Sequence, residues 1–274
     1  MRSHKAIVHE ALAAGIALLV IAAPATSAPP GPFKQTNIHF ETNASGCDMG
    51  IQMSFDTDGI TVGEVENPFE QEVFSMRTVA GQEQTHDITE VFQERVEPPI
   101  KELEQALGCE PSEDAITLTE LLSNWPAGLY EFDGESGDAE FEGRARLTHR
   151  VPAGPVITAP GDGQVVPHDA NLLIRWQKVT TPILPFLGPV EVVGYHIVVV
   201  DITNPVLAPG KTKTAFNADL AKAETTMLVP KQYLEPGRVY EFEVLATEKY
   251  GNQTITEGGV FCTAPITAAI CAAR

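Results

Sequence analysis

Basic residues are scarce in this chain: 18 Lys and Arg stand against 37 Asp and Glu in 274 residues, which gives a formal net charge of −19. A chain with this balance is repelled by phosphate backbones and anionic lipids, so the composition argues against a nucleic-acid partner. The sequence also lacks the nucleophile elbow, the H-E-x-x-H motif, the phosphate-binding loop and the dinucleotide fingerprint. We therefore expect no cofactor, and no catalytic residue can be named from a motif.

Long apolar runs are also nearly absent, and the one candidate lies at the N-terminus. It runs from Ala11 to Ala23, follows Arg2 and Lys5, and leads into small residues up to position 27. A membrane span needs roughly 20 apolar residues, so this shorter run is typical of a cleaved signal peptide. We predict a signal peptide over residues 1–27, export to the periplasm or the extracellular space, and no stable membrane anchor.

Cysteine is limited to four residues, all of them after the predicted signal peptide. Export favours disulfides, and four cysteines allow three pairings. Sequence locality favours Cys47–Cys109 and Cys262–Cys271. No Cys-x-x-Cys pair or closely spaced histidine is present, so the cysteines give no reason to expect a metal site.

Acidic residues are concentrated in the first half of the mature chain. Residues 29–150 hold 25 acidic and 7 basic residues, net −18, whereas residues 151–274 hold 11 and 9, net −2. A short Pro/Gly connector at 152–155 lies at this change in composition. We predict two domains, an acidic one over 29–150 and a second one over 151–274.

The second half alternates apolar and polar residues in short runs that are separated by turn residues. The runs 172–176, 194–200 and 240–247 each place apolar side chains on one face, and Pro, Gly and Asn lie between them. Short alternating strands of this kind, without a long helical pattern, predict an antiparallel β-sandwich.

Residues 153–264 resemble a fibronectin type III domain, an immunoglobulin-like fold. The resemblance is carried by Trp176, by Gly194-Tyr195-His196-Ile197, and most of all by the segment from Leu234 to Tyr240. It implies a buried Trp176, a Leu234 that fills the core, and a tyrosine corner in which the Tyr240 hydroxyl binds upstream backbone. Such a domain implies binding, adhesion or spacing and brings no catalytic residue.

The first half predicts a mainly β domain with a small helical insert. Strands are expected over 38–41, 51–55, 129–133 and 141–149. Pro99 and Gly108 bracket a helix over 100–107, and a capping-box pattern from Thr117 to Glu120 opens a second helix over 118–124. The predicted fold class is therefore mainly β in both domains.

Two acidic clusters are weak candidates for calcium. Asp56, Asp58 and Gly59 share residue types with a calcium loop but lack its distal Glu, and the same residues are typical of a hairpin turn. The second cluster surrounds the turn at 134–138, where solvated surface charge is the simpler interpretation.

The apolar loop at 182–189 is the remaining sequence candidate for a binding surface. It carries Ile183, Leu184, Phe186 and Leu187 on the connection between the second and third strands of the resemblance. Four large apolar side chains on a projecting loop are costly unless they are covered. Two interpretations stay open: the loop binds a partner, or it packs on the first domain.

The function that these patterns favour is a non-catalytic, exported interaction or adhesion module that binds an unknown protein or glycan. One alternative is a hydrolase with its site in the acidic domain, for which convergent buried carboxylates in a cleft would be evidence. Another is a structural spacer, for which a rigid contact between the domains together with no exposed apolar patch would be evidence.

Overall fold

The computed structural model describes residues 30–78, 86–203 and 215–273, so the predicted signal peptide over 1–27 lies outside the described residues. The described chain is mainly β, as predicted. Its first half contains β1 (Gly31–Pro32), β2 (Gln35–Asn43), β3 (Asp48–Ile60), β4 (Val62–Glu66), β5 (Glu72–Arg77), β6 (Ile88–Glu94), α1 (Lys101–Leu107), α2 (Leu118–Asn124), β7 (Gly128–Ser136) and β8 (Ala139–Leu147). Its second half contains β9 (Ile157–Ala159), β10 (Gln164–Val166), β11 (Leu172–Trp176), a 3-10 turn (Pro185–Leu187), β12 (Val192–Asp201), β13 (Ala215–Ala221), β14 (Thr226–Val229), β15 (Val239–Glu248), β16 (Gln253–Thr263) and α3 (Ala268–Cys271).

The first half is a β-sandwich. One sheet has the order β1-β8-β7-β4-β5, and the strands β2, β3 and β6 form the sheet that faces it. Buried and exposed side chains alternate along β7, as expected for a strand with one face in a core. Tyr130 and Phe132 are fully buried between the two sheets, while Glu131 and Asp133 point away from the core. Burying one face of each strand in this way is the main source of the sandwich's stability.

Both predicted helices are present at the expected positions. The Thr117 hydroxyl accepts a hydrogen bond from the Glu120 N–H at 3.2 Å and caps α2. Gly108 ends α1 with φ 82°, a left-handed conformation that glycine adopts without steric cost. Leu103 and Leu118 carry the two helices into the core of the first sandwich.

The second half is a sandwich of the sheet β14-β11-β9 against β13-β12-β15-β16. The features that the resemblance implied are present: Trp176 and Leu234 are buried. The Tyr240 hydroxyl accepts a hydrogen bond from the Glu235 N–H at 2.8 Å and lies 3.4 Å from the Tyr233 carbonyl oxygen, to which it donates. This is the geometry of a tyrosine corner, which fixes how the chain crosses between the two sheets.

The two disulfides have the predicted pairing. Cys47 is bonded to Cys109 and Cys262 to Cys271, with Cα–Cα distances of 6.3 and 5.8 Å. The first bond ties the turn between β2 and β3 to Cys109, two positions after the end of α1, and the second ties α3 to β16. Each bond therefore lies within one half of the chain, as locality predicted.

The two halves share one sheet, which the sequence patterns did not predict. Strand β16 of the second half pairs in parallel with β2 of the first half, with Thr254 opposite Thr42. The result is an eight-stranded sheet in which β13-β12-β15-β16 continues into β2-β3-β6, with β10 paired to the end of β16. A hydrogen-bonded sheet resists bending far more than a flexible linker, so this junction holds the halves in one orientation.

A single buried side chain, Asn252, reinforces the junction. Its Oδ1 accepts a hydrogen bond from the Phe40 N–H at 2.9 Å. Its Nδ2 lies within hydrogen-bond distance of the Thr148 carbonyl (2.9 Å), the Thr148 hydroxyl (3.0 Å) and the Arg150 carbonyl (3.1 Å). Asn252 also begins an Asn-Gln-Thr sequence of the type that accepts N-linked glycans, and its full burial excludes that use in the folded chain.

The connector between the halves runs beside the loop that follows β11. The Ala153 N–H donates to the Thr181 carbonyl at 2.9 Å, and the Ile183 N–H donates to the Val151 carbonyl at 3.0 Å. Val151 itself is fully buried in the core of the first sandwich. The connector is therefore a paired, partly buried segment and not a free tether.

Candidate functional site

The apolar loop packs on the first sandwich. Ile183 and Leu184 are 8% and 4% exposed and belong to its core, and the half-buried Leu187 packs against the same core. Phe186 points outward and is 68% exposed. The packing interpretation accounts for Ile183 and Leu184, which leaves Phe186 as the member of this set that a partner can reach.

The Asp56 and Asp58 carboxylates are bound by a lysine. The Lys34 ammonium lies 2.8 Å from Asp58 and 3.7 Å from Asp56, and these carboxylates raise the pKa of Lys34. The hairpin turn predicted here is wrong, because β3 and β4 are not paired with each other. Residues 56–59 lie within β3, which pairs with β2 and β6, while β4 pairs with β5 and β7. The segment carries the chain from one sheet to the other, so Asp and Gly serve a crossover rather than a turn.

Three carboxylates that sequence reasoning did not single out converge on the outer face of the shared sheet. Oxygens of Glu41, Glu94 and Glu97 lie within 4.8 Å of one another. The Gln253 side chain donates a hydrogen bond to Glu41, which joins the cluster to the second half of the chain. No motif marks these residues, because Glu41, Glu94 and Glu97 meet only through strand pairing.

Glu97 has the most perturbed acidity of the cluster. Burial, followed by the charges of Glu41, Asp48 and Glu94, raises its pKa to about 8. Burial also raises the pKa of Glu41 and of Asp48. A Glu97 oxygen and an Asp48 oxygen are buried without a hydrogen-bond partner among the described residues. Two arrangements relieve the repulsion: a proton held on Glu97, or a divalent cation, which prefers oxygen ligands.

We expect Glu97 to make the folded chain less stable as the pH rises. Its pKa is about 4.5 unfolded and about 8 folded, so in between only the folded chain holds this proton. The stability it contributes is complete below pH 4.5 and is lost as the pH rises through 8. Glu97→Gln should therefore gain about 1–2 kcal/mol over the parent chain at pH 9, after allowance for the exposed half of the side chain.

Urea unfolding of the parent and of Glu97→Gln at pH 5 and pH 9 measures this difference, with Glu110→Gln on an exposed loop as the matched control. If the free energy of unfolding depended on pH equally in the parent and in Glu97→Gln, the assignment of a proton to Glu97 would be contradicted. Repeating the pH 9 measurement with Ca²⁺ separates the two arrangements, because only a bound cation would stabilise the parent and not the Gln variant.

The histidines do not join this cluster. His39 is buried, its pKa is lowered by that burial to about 4, and its Nδ1 has no partner among the described residues. His196 lies beside Asp219 at 2.7 Å on the same face of the shared sheet as Glu41, but on β12, three strands away from β2. His39 is two positions before Glu41 on β2 and lies opposite Gln52, whose side chain donates to Glu94 at 3.5 Å. Neither His39 nor His196 is among the groups whose ligand atoms converge in the cluster.

The outer face of the five-stranded sheet is strongly acidic. Register places Glu64 opposite Asp133, and Asp133 opposite Glu142, so that their side chains share one face. Burial, followed by the charges of the neighbouring glutamates, raises the pKa of Asp133. Among the described residues, this face carries eight carboxylates and three guanidinium groups: Glu64, Glu66, Glu72, Glu131, Asp133, Glu135, Glu140 and Glu142, with Arg77, Arg144 and Arg146. We call this surface the acidic face.

Helices that could cross a membrane are missing from the described residues, since none is long and apolar enough. No family model matches the sequence, and no curated protein matches it. Among solved structures, the chain is similar to the FN1–FN3 domains of chicken CNTN1 (12% identity, TM-score 0.28, 85% of this chain and 69% of that one). It is also similar to titin domains A168–A170 (12% identity, TM-score 0.25, 84% and 65%). At TM-scores this low, neither similarity identifies a family.

Proposed function

We propose that this chain is an exported, non-catalytic interaction module whose acidic face binds a cationic protein surface. The charge pattern of the first residues and the two disulfides support export, because disulfides persist in oxidising compartments. The assignment of the second half to the fibronectin type III family belongs to the same proposal and rests on Trp176 and the tyrosine corner of Tyr240.

The observation that carries the proposal is the accumulation of like charge on one sheet face. Carboxylates on neighbouring strands repel each other, and after burial, which is the larger cause, the charges of the neighbouring glutamates add to the rise in the pKa of Asp133. A cationic partner would relieve the repulsion and would be steered to this face from a distance.

An exposed aromatic side chain beside the charges adds a second kind of contact. Phe69 is 69% exposed in the turn between β4 and β5, next to Pro68, which packs over Gly128 at the start of β7. Aromatic residues are enriched in protein interfaces, where they fill pockets of the partner. The acidic face with Phe69 at its end therefore has the composition of a docking surface.

The test measures binding to an immobilised decalysine peptide over a range of salt concentrations. Neutralising the acidic face in the triple variant Glu64→Gln, Asp133→Asn, Glu142→Gln should weaken binding about tenfold or more and flatten the salt dependence. The matched control is Glu110→Gln, Glu113→Gln, Asp114→Asn on the loop between the helices, which changes the net charge by the same three units. Equal losses in both variants would mean that net charge alone drives binding, and the proposal would fail.

One observation favours the hydrolase alternative. Burial and neighbouring charges raise the pKa of Glu97 to about 8, and other carboxylates lie within reach of it; a protonated carboxyl beside another carboxylate is the arrangement of general acid catalysis. Glu41 and Glu94 belong to pleated strands of an open sheet face, however, and not to the walls of a cleft. Binding through the acidic face therefore stands as the better supported function.

A further inference from the structure

A groove at the junction of the two halves has a charge opposite to that of the rest of the chain. Its volume is about 430 Å³, and its lining includes Arg146, His149, Arg150, Leu187 and Tyr250. Known pockets for small ligands fall in roughly the 300–1,000 Å³ range. The groove is thus large enough for a ligand of one or two sugar rings.

The two guanidinium groups of this groove form no salt bridge and no side-chain hydrogen bond among the residues that the structure describes. Arg150 does have a carboxylate in its surroundings: burial raises the pKa of Glu248, and the charge of Arg150 partly opposes that rise. Two residues before Arg146, by contrast, Arg144 is bound to Glu131 at 2.9 Å. Carboxylates outnumber cations about two to one in this chain, yet neither arginine of the groove forms a salt bridge, so the N–H donors of both are available to a ligand, and Arg146 is the freer of the two.

The backbone that carries these arginines is held rigidly. The buried Asn252 amide donates hydrogen bonds to the carbonyls of Thr148 and Arg150. On the same segment, Nε2 of His149 lies 2.9 Å from the Trp125 carbonyl, to which it donates. A site whose backbone is fixed before binding loses less entropy when a ligand arrives.

The opposite wall supplies apolar surface. Tyr250 lies in the turn between β15 and β16 and is 36% exposed, and Leu187 comes from the loop that packs on the first sandwich. The groove therefore pairs two carboxylate-binding groups with an aromatic ring and an aliphatic side chain, contributed by both halves of the chain.

We propose that this groove binds a sugar acid, that is, a sugar ring that carries a carboxylate. The carboxylate would bind the guanidinium forks of Arg146 and Arg150, which match its planar geometry. The less polar face of the sugar ring would lie against Tyr250, whose ring combines an apolar body with a polar hydroxyl. Arg146 lies at the edge of the acidic face, so the two sites adjoin, but none of the carboxylates of the acidic face lines the groove.

The test is a calorimetric titration of the full mature chain with digalacturonate and, separately, with a neutral galactose disaccharide. We expect binding of digalacturonate only, and a loss of affinity of about tenfold or more in the double variant Arg146→Gln, Arg150→Gln. Tyr250→Ala should also weaken binding, while Arg144→Gln, which removes one positive charge from the arginine that is paired with Glu131, should change it less than about twofold. Arg146 and Arg150 are exposed and form no salt bridge among the described residues, so melting curves close to that of the parent should accompany the loss.

Three results would overturn the proposal: no binding of digalacturonate, equal binding of the neutral disaccharide, or full affinity in the double arginine variant. Succinate, a carboxylate without a sugar ring, serves as a further probe. If it bound as tightly as digalacturonate, the groove would be a general anion site, and the role of Tyr250 in holding a sugar would be wrong.

Discussion

Asn252→Ala should lower the free energy of unfolding by about 3–5 kcal/mol, a large share of the stability of an ordinary protein. The side chain is fully buried, and its removal leaves the Phe40 N–H and the carbonyls of Thr148 and Arg150 without their partner. Each unpaired buried group costs about 1–3 kcal/mol.

Chemical unfolding of the parent and the variant measures this loss, and Asn171→Ala is the matched control. Asn171 is exposed, and its side chain accepts one hydrogen bond, from the Lys231 N–H at 3.0 Å. We expect that control to cost less than about 1 kcal/mol. If Asn252→Ala cost no more than Asn171→Ala, the junction would not depend on this amide.

The second large effect is expected from the apolar loop. Replacing Ile183 and Leu184 together by Ser should destabilise the chain by about 4–6 kcal/mol, because both side chains are buried in the core of the first sandwich. The two residues lie in the loop that connects β11 and β12 of the second sandwich. Removing their side chains from the core of the first sandwich should therefore also loosen the contact between the halves. Thermal melting measures the first effect, and small-angle scattering of the folded fraction measures the second.

Phe186→Ser provides the contrast within the same loop. Its side chain is 68% exposed, so we expect the melting temperature to stay close to that of the parent. A large loss of stability in Phe186→Ser, or none in the double variant, would contradict the packing described for this loop. Phe186 also stays our proposal for a contact with a protein partner, which the same variant can test by binding.

Local patterns predicted much of the fold. Apolar residues at alternate positions marked β7, β11, β12 and β15, because a strand buries one face and leaves the other exposed. The ends of α1 and α2 followed from Gly108 and Thr117, whose effects act within one turn of helix. The disulfide pairing followed from the short sequence separation of Cys262 and Cys271 and from the location of the other two cysteines in the first half.

Long-range pairing could not be predicted in the same way. The carboxylates Glu41, Glu94 and Glu97 are separated by up to 56 positions and meet only because β2, β3 and β6 are neighbours in a sheet. The strands β4, β5 and β6 carry too many polar residues on their outer faces to stand out as strands. The hairpin turn predicted around Asp56 and Asp58 is wrong, because the same residue types that favour turns occur here where the chain crosses from one sheet to the other.

The sequence by itself determined the mainly β fold class, both helices, the disulfide pairs and the tyrosine corner, since each depends on residues close together in the chain or on residue type. The tertiary structure alone decided how the halves are joined. Strand β16 bonds to β2 through backbone groups that every residue carries, so no side-chain pattern marks the pairing. The same pairing buries Asn252, fixes the apolar loop and brings Arg150 and Tyr250 to one groove, and each of these features therefore exists only in the folded chain.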